Sequence, residues 1–481
     1  MAKRVLITGV HQITHDLINQ YEGLQYSIDS LDELSEGQLD INHYDEFFFS
    51  CAGKDDKAIA KLEQIAKAYD TDAHGGRQML CHLLLHDNQM LQMMQACNPC
   101  DAVRLKIDIY PFTMDEVWSR NIVLDYEPVT IQCEKHVHLV IFGMDDVAEM
   151  VAIQAAHVAH YPNYVRNHSL RTRITMIDTD AGQKGEVLIK RYQHLFDHSY
   201  YRIVKPSEEK AVVKFHKPMY EGKREDFVDV EWEFVEAEMW NAEVREKLKL
   251  WAKDEKQLLT VVMAYSDEDR NAAQALYLPN ELYKHAIPVH IYKKQNEGYD
   301  VTLPLVRMAK NVKYVYEQCF KQNDAEWSGK MLWSAEIDKE ERDRLWAEES
   351  NVKRMSCIYN AMTIPVKMRS LGLDENDWDK FYDIPQQDIE IMAQVEHNRW
   401  SVEELILGFR PCTDEEQDKI AANVEKQKDA YKARKIHYDL RAYNDLRPDG
   451  TGKPVQVYDL CLTSCLPLIA KAFADEKGGK A

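Results

Sequence analysis

Residues 137–178 contain two apolar runs separated by a helical repeat, and this pattern constrains the fold more than any other part of the chain. Residues 137–142 are almost entirely apolar, as expected for a strand covered on both faces of a parallel sheet. Gly143 ends this strand, and apolar residues then recur at helical spacing from 147 to 158 before a second apolar run, 174–177. The sequence therefore predicts a strand, a glycine turn, a helix and a second strand of a parallel α/β sheet.

A glycine turn followed by a strand that ends in an acid is the order in which Rossmann folds present a dinucleotide site. Asp178 directly follows the second strand, where the carboxylate of such a site accepts hydrogen bonds from ribose hydroxyls. The turn at Gly143 has only the first of the three glycines of the GxGxxG motif, and Asp145 and Asp146 place negative charge where phosphates would bind. Because aspartate at a helix start is also an ordinary N-cap, we favour a capping role for these two acids.

The first 134 residues repeat the alternation of strands and helices. Strands are predicted at 5–7, 44–51, 79–85 and 103–109, and helices at 13–21, 57–69 and 88–97. This alternation predicts a Rossmann-like domain over residues 1–134. Its glycine turn at Gly9 also lacks the later glycines, so the sequence gives little support to a nucleotide site there.

Residues 135–320 are predicted to form a second α/β domain that contains the unit described first. Residues 181–227 are rich in Lys, Tyr, His and Glu, and we expect a helix and a loop insertion there. Regular patterns then return, with strands predicted at 228–234, 258–264 and 287–292 and a helix at 243–251.

Four pieces of this second domain resemble the KTN/RCK-type (TrkA-N) nucleotide-binding domain of potassium-uptake regulators. They are the strand and turn at 138–143, Ile-Asp-Thr-Asp at 177–180, Val-Glu-Trp-Glu-Phe at 230–234, and the segment 264–271. The resemblance implies a domain that binds NAD or another adenine nucleotide and reports its occupancy to a membrane channel or another effector protein. It also implies that Gly143 and Asp178 contact the nucleotide and that Asp267 and Asp269 border the site.

The C-terminal region carries a second set of motif residues. Residues 391–409 form a predicted helix with one apolar stripe, and residues 321–390 before it are predicted to be a helical connector. Residues 391–481 resemble the RyR domain, the repeat of ryanodine receptors that also occurs in bacterial proteins. The matching residues are Glu396, His397, Arg399, Trp400, Glu403, Gly408, Phe409, His437, Leu440, Tyr443, Leu446, Tyr458 and Asp459.

These C-terminal residues permit two interpretations. Arg399, Arg410 and His437 could donate to a phosphate or carboxylate while Trp400 or Tyr443 stacks on a base, a combination that suits adenine nucleotides. Alternatively, because Glu396, Arg399 and Glu403 share one face of a helix, they could form a structural ion-pair network. The sequence leaves both interpretations open.

Composition excludes several classes of function. The net charge is −21, from 60 Lys and Arg against 81 Asp and Glu, which disfavours nucleic acid or an anionic membrane as the main partner. No apolar run is long enough to insert into a membrane, and we expect a cytoplasmic protein. The ten cysteines are expected to be reduced, and the lone CxxC motif at 97–100 lacks the second pair that a zinc site needs, so no metal is expected.

The sequence as a whole favours a non-catalytic sensor or regulator of a nucleotide-type ligand, with homo-oligomerisation plausible from the resemblance. One alternative is an NAD(P)-dependent oxidoreductase, because Tyr201–Lys205 and Tyr431–Lys435 match the YxxxK spacing of short-chain dehydrogenases; we attribute both matches to chance, since the glycine-rich entry is missing. The other alternative is a scaffold whose sheets have lost their ligands.

Overall fold

A computed structural model describes residues 4–9, 18, 27–31, 40–51, 53–74, 76–125, 127–206, 212–218, 226–293, 304–321, 337–374, 377–421, 424–448 and 454–474. The strands are β1 Arg4–Thr8, β2 Ser27–Leu31, β3 Glu46–Phe49, β4 Met79–Leu85, β5 Ile107–Thr113, β6 His136–Phe142, β7 Thr172–Asp178, β8 Tyr200–Lys205, β9 Val212–His216, β10 Val230–Glu236, β11 Gln257–Met263, β12 Val289–Ile291, β13 Arg410–Pro411 and β14 Ile436–His437.

The helices before residue 300 are α1 Asp55–Ala68, α2 Asn88–Ala96, α3 Asp101–Arg104, α4 Met114–Leu124, α5 Asp146–Val158, α6 Pro162–Arg166, α7 Ala181–Arg191, α8 Gln193–His198, α9 Ala242–Lys253, α10 Glu268–Ala275 and α11 Asn280–Lys284. Those after it are α12 Pro304–Lys321, α13 Lys339–Glu348, α14 Asn351–Met362, α15 Ile364–Ser370, α16 Trp378–Phe381, α17 Gln386–Ile406, α18 Asp414–Ala421, α19 Val424–Lys432, α20 Gln456–Ser464 and α21 Leu466–Ala474.

The first sheet has the strand order β2-β1-β3-β4-β5, and every neighbouring pair is parallel. Its inner strands β1, β3 and β4 are mostly apolar and buried on both faces, as expected where helices cover both sides of a parallel sheet, whereas the edge strand β2 is partly exposed. One face packs in a core with α1, α2 and α3, and the opposite face belongs to a second core that includes α4, α12 and α14. The predicted parallel α/β architecture is confirmed for this region.

The second sheet has the order β12-β11-β6-β7-β10-β8-β9 and is parallel except for the antiparallel pair β8 and β9. If β6, β7, β10, β11 and β12 are numbered 1 to 5, their order is 3-2-1-4-5, the order found in dinucleotide-binding sheets. The chain therefore reverses direction across the sheet between β6 and β11. At such a switch point the loops after the two strands diverge and leave a crevice at the carboxyl edge.

Several predicted elements differ from the observed ones. The predicted strand 103–109 is wrong at its start, because residues 101–104 form a helical turn and the strand runs from Ile107 to Thr113. The segment 181–227, predicted as a helix and a loop insertion, contains two helices, α7 and α8, and the unpredicted strand pair β8–β9. The helix predicted at 13–21 lies outside the described residues except for Ile18, which is helical.

Helices join the two sheets and the C-terminal region into one body. Helix α4, which follows the first sheet, packs against α5, which follows the glycine turn of the second sheet. Helix α17 packs against α5, α6 and α20, and β13 and β14 form a small parallel pair beyond it. Within the described ranges, no helix combines the length and apolar composition needed to cross a bilayer.

Candidate functional site

The candidate site is the crevice at the carboxyl ends of β6, β7 and β11. Gly143 follows β6 with φ +109°, a backbone conformation that residues other than glycine rarely adopt. A Cβ at this position would lie 3.0 Å from the carbonyl oxygen of Ala264, the residue after β11. The Ala264 amide in turn donates to the Phe142 carbonyl at 2.9 Å. The glycine is therefore required by close packing between the two strand ends.

Asp145 precedes α5 but its side chain does not cap that helix. Instead, its carboxylate accepts from Lys184 Nζ at 3.2 Å and from the Ser266 amide at 3.3 Å. These donors lower the pKa of Asp145 although partial burial acts to raise it. As a result, no described side chain caps the first N–H groups of α5, and they form an uncapped helix N-terminus of the kind that binds anions.

Asp178 is at the end of β7, where the sequence predicts the carboxylate that accepts hydrogen bonds from ribose hydroxyls. Its side chain is 5% exposed, and it accepts from the Asp180 amide at 3.0 Å and from Lys184 Nζ at 3.2 Å. Lys184 therefore bridges Asp145 and Asp178 across the crevice. Although its own burial acts in the opposite direction, the two carboxylates raise the pKa of Lys184, so this amine is charged.

Tyr265 lies on the loop between β11 and α10 and is 1% exposed. The guanidinium carbon of Arg270 lies 3.7 Å from the centre of its ring, a cation–π contact. Its hydroxyl has no hydrogen-bond partner in the described part of the chain. Burial, with further contributions from the carboxylates of Asp178, Glu238 and Asp145, raises the pKa of Tyr265 to about 12. The hydroxyl is therefore a protonated donor close to these acids.

The other two residues predicted in this site lie on its rim. Asp267 is exposed and caps α10 by accepting from the Arg270 amide at 3.1 Å. Asp269 is exposed in the first turn of the same helix. Sequence reasoning missed Lys184 and Tyr265. Tyr265 lies inside the motif segment 264–271, whereas Lys184 lies in a segment predicted only as an insertion, and its two partners are set by tertiary contacts.

The crevice combines an acidic edge with few cations. The described carboxylates at or near its edge are Asp145, Asp146, Asp178, Asp180, Glu236, Glu238, Asp267, Glu268 and Asp269, and Asp146 is exposed in the first turn of α5 itself. Lys184 and the uncapped start of α5 are the groups suited to an anion, while Asp178 is suited to hydroxyl donors. The arrangement can therefore bind a ligand rich in hydroxyl groups that carries a limited number of phosphates.

In the C-terminal region, Arg399 is buried and engaged in ion pairs. Arg399 is 2% exposed, and its guanidinium binds Glu396 at 2.9 Å and Glu403 at 2.7 Å. Lys367 of α15 adds a second cation to Glu396 at 2.6 Å. Against the effect of burial, Arg399 and Lys367 lower the pKa of Glu396 to about 2. This is the ion-pair arrangement that the helical spacing of these residues allows.

Trp400, His437 and Tyr443 are brought together around His397. The Trp400 ring centre lies 4.9 Å from that of His437, and the His397 ring centre lies 5.7 Å from that of Tyr443. His397 contacts the Asp459 carboxylate through Nδ1 at 3.2 Å and the Arg441 carbonyl through Nε2 at 2.8 Å. Because a carbonyl can only accept, Nε2 donates to Arg441. Although burial opposes the charge, Asp459 raises the pKa of His397.

Arg410 is not part of this aromatic group. Its guanidinium pairs with both carboxylate oxygens of Glu416, at 2.7 and 2.8 Å. The structure therefore groups three of the five residues predicted to bind a ligand in this region and engages the two arginines in ion pairs. Whether any of the five binds a ligand stays a prediction.

Among the described residues, no group of three or more His, Cys, Asp or Glu side chains could hold a metal ion. Cys97 and Cys100 are exposed free thiols. No protein-family model matches the chain, no curated protein is significantly similar to it, and no solved structure matches its fold at a significant level.

Proposed function

We propose that the protein is a non-catalytic regulator that binds a nucleotide-type ligand in the crevice between β6 and β11. The observation that carries this proposal is the convergence of three kinds of group at one switch point. They are the hydroxyl acceptor Asp178, the cation Lys184 and the uncapped N-terminus of α5. A nucleotide presents ribose hydroxyls and phosphates that complement these groups.

In the proposed complex, Lys184 changes partners. Its amine now lies between two carboxylates, and a ligand phosphate at the start of α5 would draw it away from them. Asp178 would then be free to accept from ribose hydroxyls, while the Tyr265 hydroxyl would gain a hydrogen-bond partner. NAD, ADP-ribose, ATP and cyclic adenine nucleotides are the candidate ligands.

Helix α5 provides the route by which occupancy would reach the C-terminal region. Its N-terminus lies at the crevice, and its residues are buried from 147 to 158 except at Glu149. Near its other end, His157 stacks on Tyr359 of α14 with ring centres 4.0 Å apart. Burial, reinforced by the charge of Arg399, lowers the pKa of His157 to about 3. Movement of α5 would therefore disturb both α14 and α17, which pack against it.

The oxidoreductase alternative receives less support from the same structure. In the YxxxK match at 201–205, both residues lie on strand β8, where four residues span about 13 Å. Lys205 pairs with Glu236 at 2.8 Å. In the second match, Lys435 Nζ donates to the Leu407 carbonyl at 3.2 Å. Neither lysine is placed to polarise its tyrosine hydroxyl.

A thermal-shift panel tests the proposal. The full chain is heated with NAD, ADP-ribose, ATP and cyclic AMP, each at about 100 times a typical micromolar Kd, where binding stabilises by about 2.7 kcal/mol. We expect at least one compound to raise Tm, and Asp178→Ala and Lys184→Met to abolish that rise. Lys247→Met is the matched control, because Lys247 also forms a lysine–carboxylate pair, with Glu243 at 3.3 Å, but on α9.

The outcomes separate the three hypotheses. A ligand shift that survives in both crevice variants would move the site elsewhere and contradict the proposal. A panel with no shift would favour the scaffold alternative. Consumption of NADH by the wild-type chain with any substrate would favour the oxidoreductase.

A further inference from the structure

Two large aromatic rings, Trp240 and Tyr277, are exposed side by side next to the crevice. Trp240 is 47% exposed and Tyr277 is 60% exposed. Their ring centres are 5.5 Å apart and their planes meet at 72°, an edge-to-face pair. Exposure of large aromatic rings to water is unfavourable. In an edge-to-face pair, one ring can stack on a ligand base while the other contacts the edge of that base.

Trp240 follows β10, which pairs with β7 so that Glu236 lies opposite Asp178 at the same edge of the sheet. The amide of Ala237 donates to the carbonyl of Asp178 at 3.0 Å, so the loop after β10 begins at the crevice. Trp240 is three residues further on, which limits its Cα to about 11 Å from that of Ala237. Glu238, on the same turn, contributes to the raised pKa of the Tyr265 hydroxyl and so lies close to it.

Both rings are held by rigid neighbours. Met239 is fully buried, and the Asn241 side chain caps α9 by accepting from the Glu243 amide at 2.9 Å, so Trp240 is fixed on both sides. On the other element, the Arg245 guanidinium donates to the Tyr277 carbonyl at 2.6 Å and ties the end of α10 to α9. A surface that is fixed before binding loses little conformational entropy when a ring stacks on it.

We propose that Trp240 and Tyr277 form a stacking surface for the base of the ligand, which makes the ligand a purine nucleoside or nucleotide. The inference rests on the proposed function, because it places the ribose at Asp178 and the base beyond it. Stacking on these two rings would add binding energy that the acidic edge of the crevice does not supply, because stacking needs no cation. It also explains why a crevice with few cations could still bind tightly.

The test measures Kd by calorimetry on the full chain with two probes, ADP-ribose and ribose 5-phosphate. Stacking of one base contributes about 10- to 100-fold in affinity, so Trp240→Ala should raise the Kd of ADP-ribose by that factor. Trp240→Phe, which retains an aromatic face, should stay within about 5-fold of the wild type. Ribose 5-phosphate, which has no base, should bind the wild type and Trp240→Ala equally. Leu250→Ala is the control, because Leu250 is 65% exposed on α9 and is not part of the ring pair.

The failures are distinguishable. ADP-ribose affinity that is lost in Asp178→Ala but unchanged in Trp240→Ala overturns this inference and leaves the proposed function intact. An equal loss for Trp240→Ala and Trp240→Phe, or a loss that includes ribose 5-phosphate, indicates a structural effect and also overturns it. If no adenine nucleotide binds the wild type, the inference fails together with the proposed function.

Discussion

At the scale of single residues, Arg399 shows how one side chain can satisfy a sequence motif and still be unavailable to a ligand. Its guanidinium group forms ion pairs with Glu396 and Glu403, both almost fully buried. A buried ion pair adds little net stability over an apolar replacement of the whole group, but removal of one partner leaves charges without compensation. We therefore expect substitution of Arg399 to affect the stability of the folded protein before it affects ligand binding.

We accordingly predict that Arg399→Met lowers the free energy of unfolding by about 3–5 kcal/mol, because the buried Glu403 loses its cation and Glu396 keeps only Lys367. Arg344→Met is the control, since Arg344 also pairs with two glutamates but its side chain is 51% exposed. Its cost should be much smaller, because solvent screens exposed ion pairs. Denaturant unfolding of both variants measures the difference, and equal costs would refute the structural role of Arg399.

Glu404 gives a prediction about pH. Burial, helped by the charge of Glu403, raises the pKa of Glu404 from 4.5 to about 7. The folded state therefore binds this proton more tightly than the unfolded state, and stability is lost as pH rises from about 4.5 to about 7. Glu404→Gln should raise Tm at pH 8 and leave it unchanged at pH 4.5. The same substitution at Glu415, whose side chain is 79% exposed, should leave Tm unchanged at both values. A pH-independent effect of Glu404→Gln would contradict this assignment.

At the scale of elements, the sequence predicted strands best where both faces are buried. Strands β4, β6 and β11 are nearly continuous apolar runs, as expected where helices cover both sides of the sheet, and all three were predicted. The strand β7 was predicted from its three apolar residues Ile174, Met176 and Ile177. The β8–β9 pair was missed because it lies at the edge of the sheet and carries exposed charged and apolar residues without a clear alternation. Asp178 was predictable from the end of its strand, whereas Lys184 depends on a contact with Asp145, 39 residues away.

The glycine turn after β6 can be tested directly. Gly143→Ala places a Cβ 3.0 Å from the Ala264 carbonyl oxygen at φ +109°, so both strain and a backbone clash oppose it. Gly372→Ala is a matched control, because Gly372 has φ +75° and nothing within 4 Å of its Cβ position. We expect Gly143→Ala to destabilise by about 2–4 kcal/mol and Gly372→Ala by about 1 kcal/mol. The reverse order in denaturant unfolding would contradict the close approach of β6 and β11.

At the scale of the whole molecule, buried charges tie the first sheet to the helices after residue 300. Asp108 on β5 is 2% exposed and binds Lys310 of α12 at 2.8 Å and Arg354 of α14 at 3.1 Å. The Trp346 indole also donates to it at 2.9 Å. These contacts cross the domain boundaries predicted at 134 and 320, and sequence patterns could not reveal them because each partner is more than 190 residues away.

Loss of this contact should affect the whole chain. Asp108→Ala leaves the buried Arg354 and the partly buried Lys310 without their acid, and we expect about 3–5 kcal/mol of destabilisation. Asp101→Ala is the control, because Asp101 pairs with Arg104 at 3.2 Å but its side chain is 81% exposed. In calorimetry the Asp108 variant should shift the entire unfolding transition to lower temperature. A shift confined to a separate minor transition would mean that the first sheet and α12–α14 unfold independently.

The central claim is that a nucleotide-type ligand occupies the crevice between β6 and β11 and acts through α5. Hydrogen–deuterium exchange of the full chain with and without ADP-ribose tests it most directly. We predict slower exchange at 143–149 and 264–270, together with a change along α5 and at the α14 and α17 segments that it contacts. Protection confined to other parts of the chain, or no change at a saturating concentration, would contradict the claim.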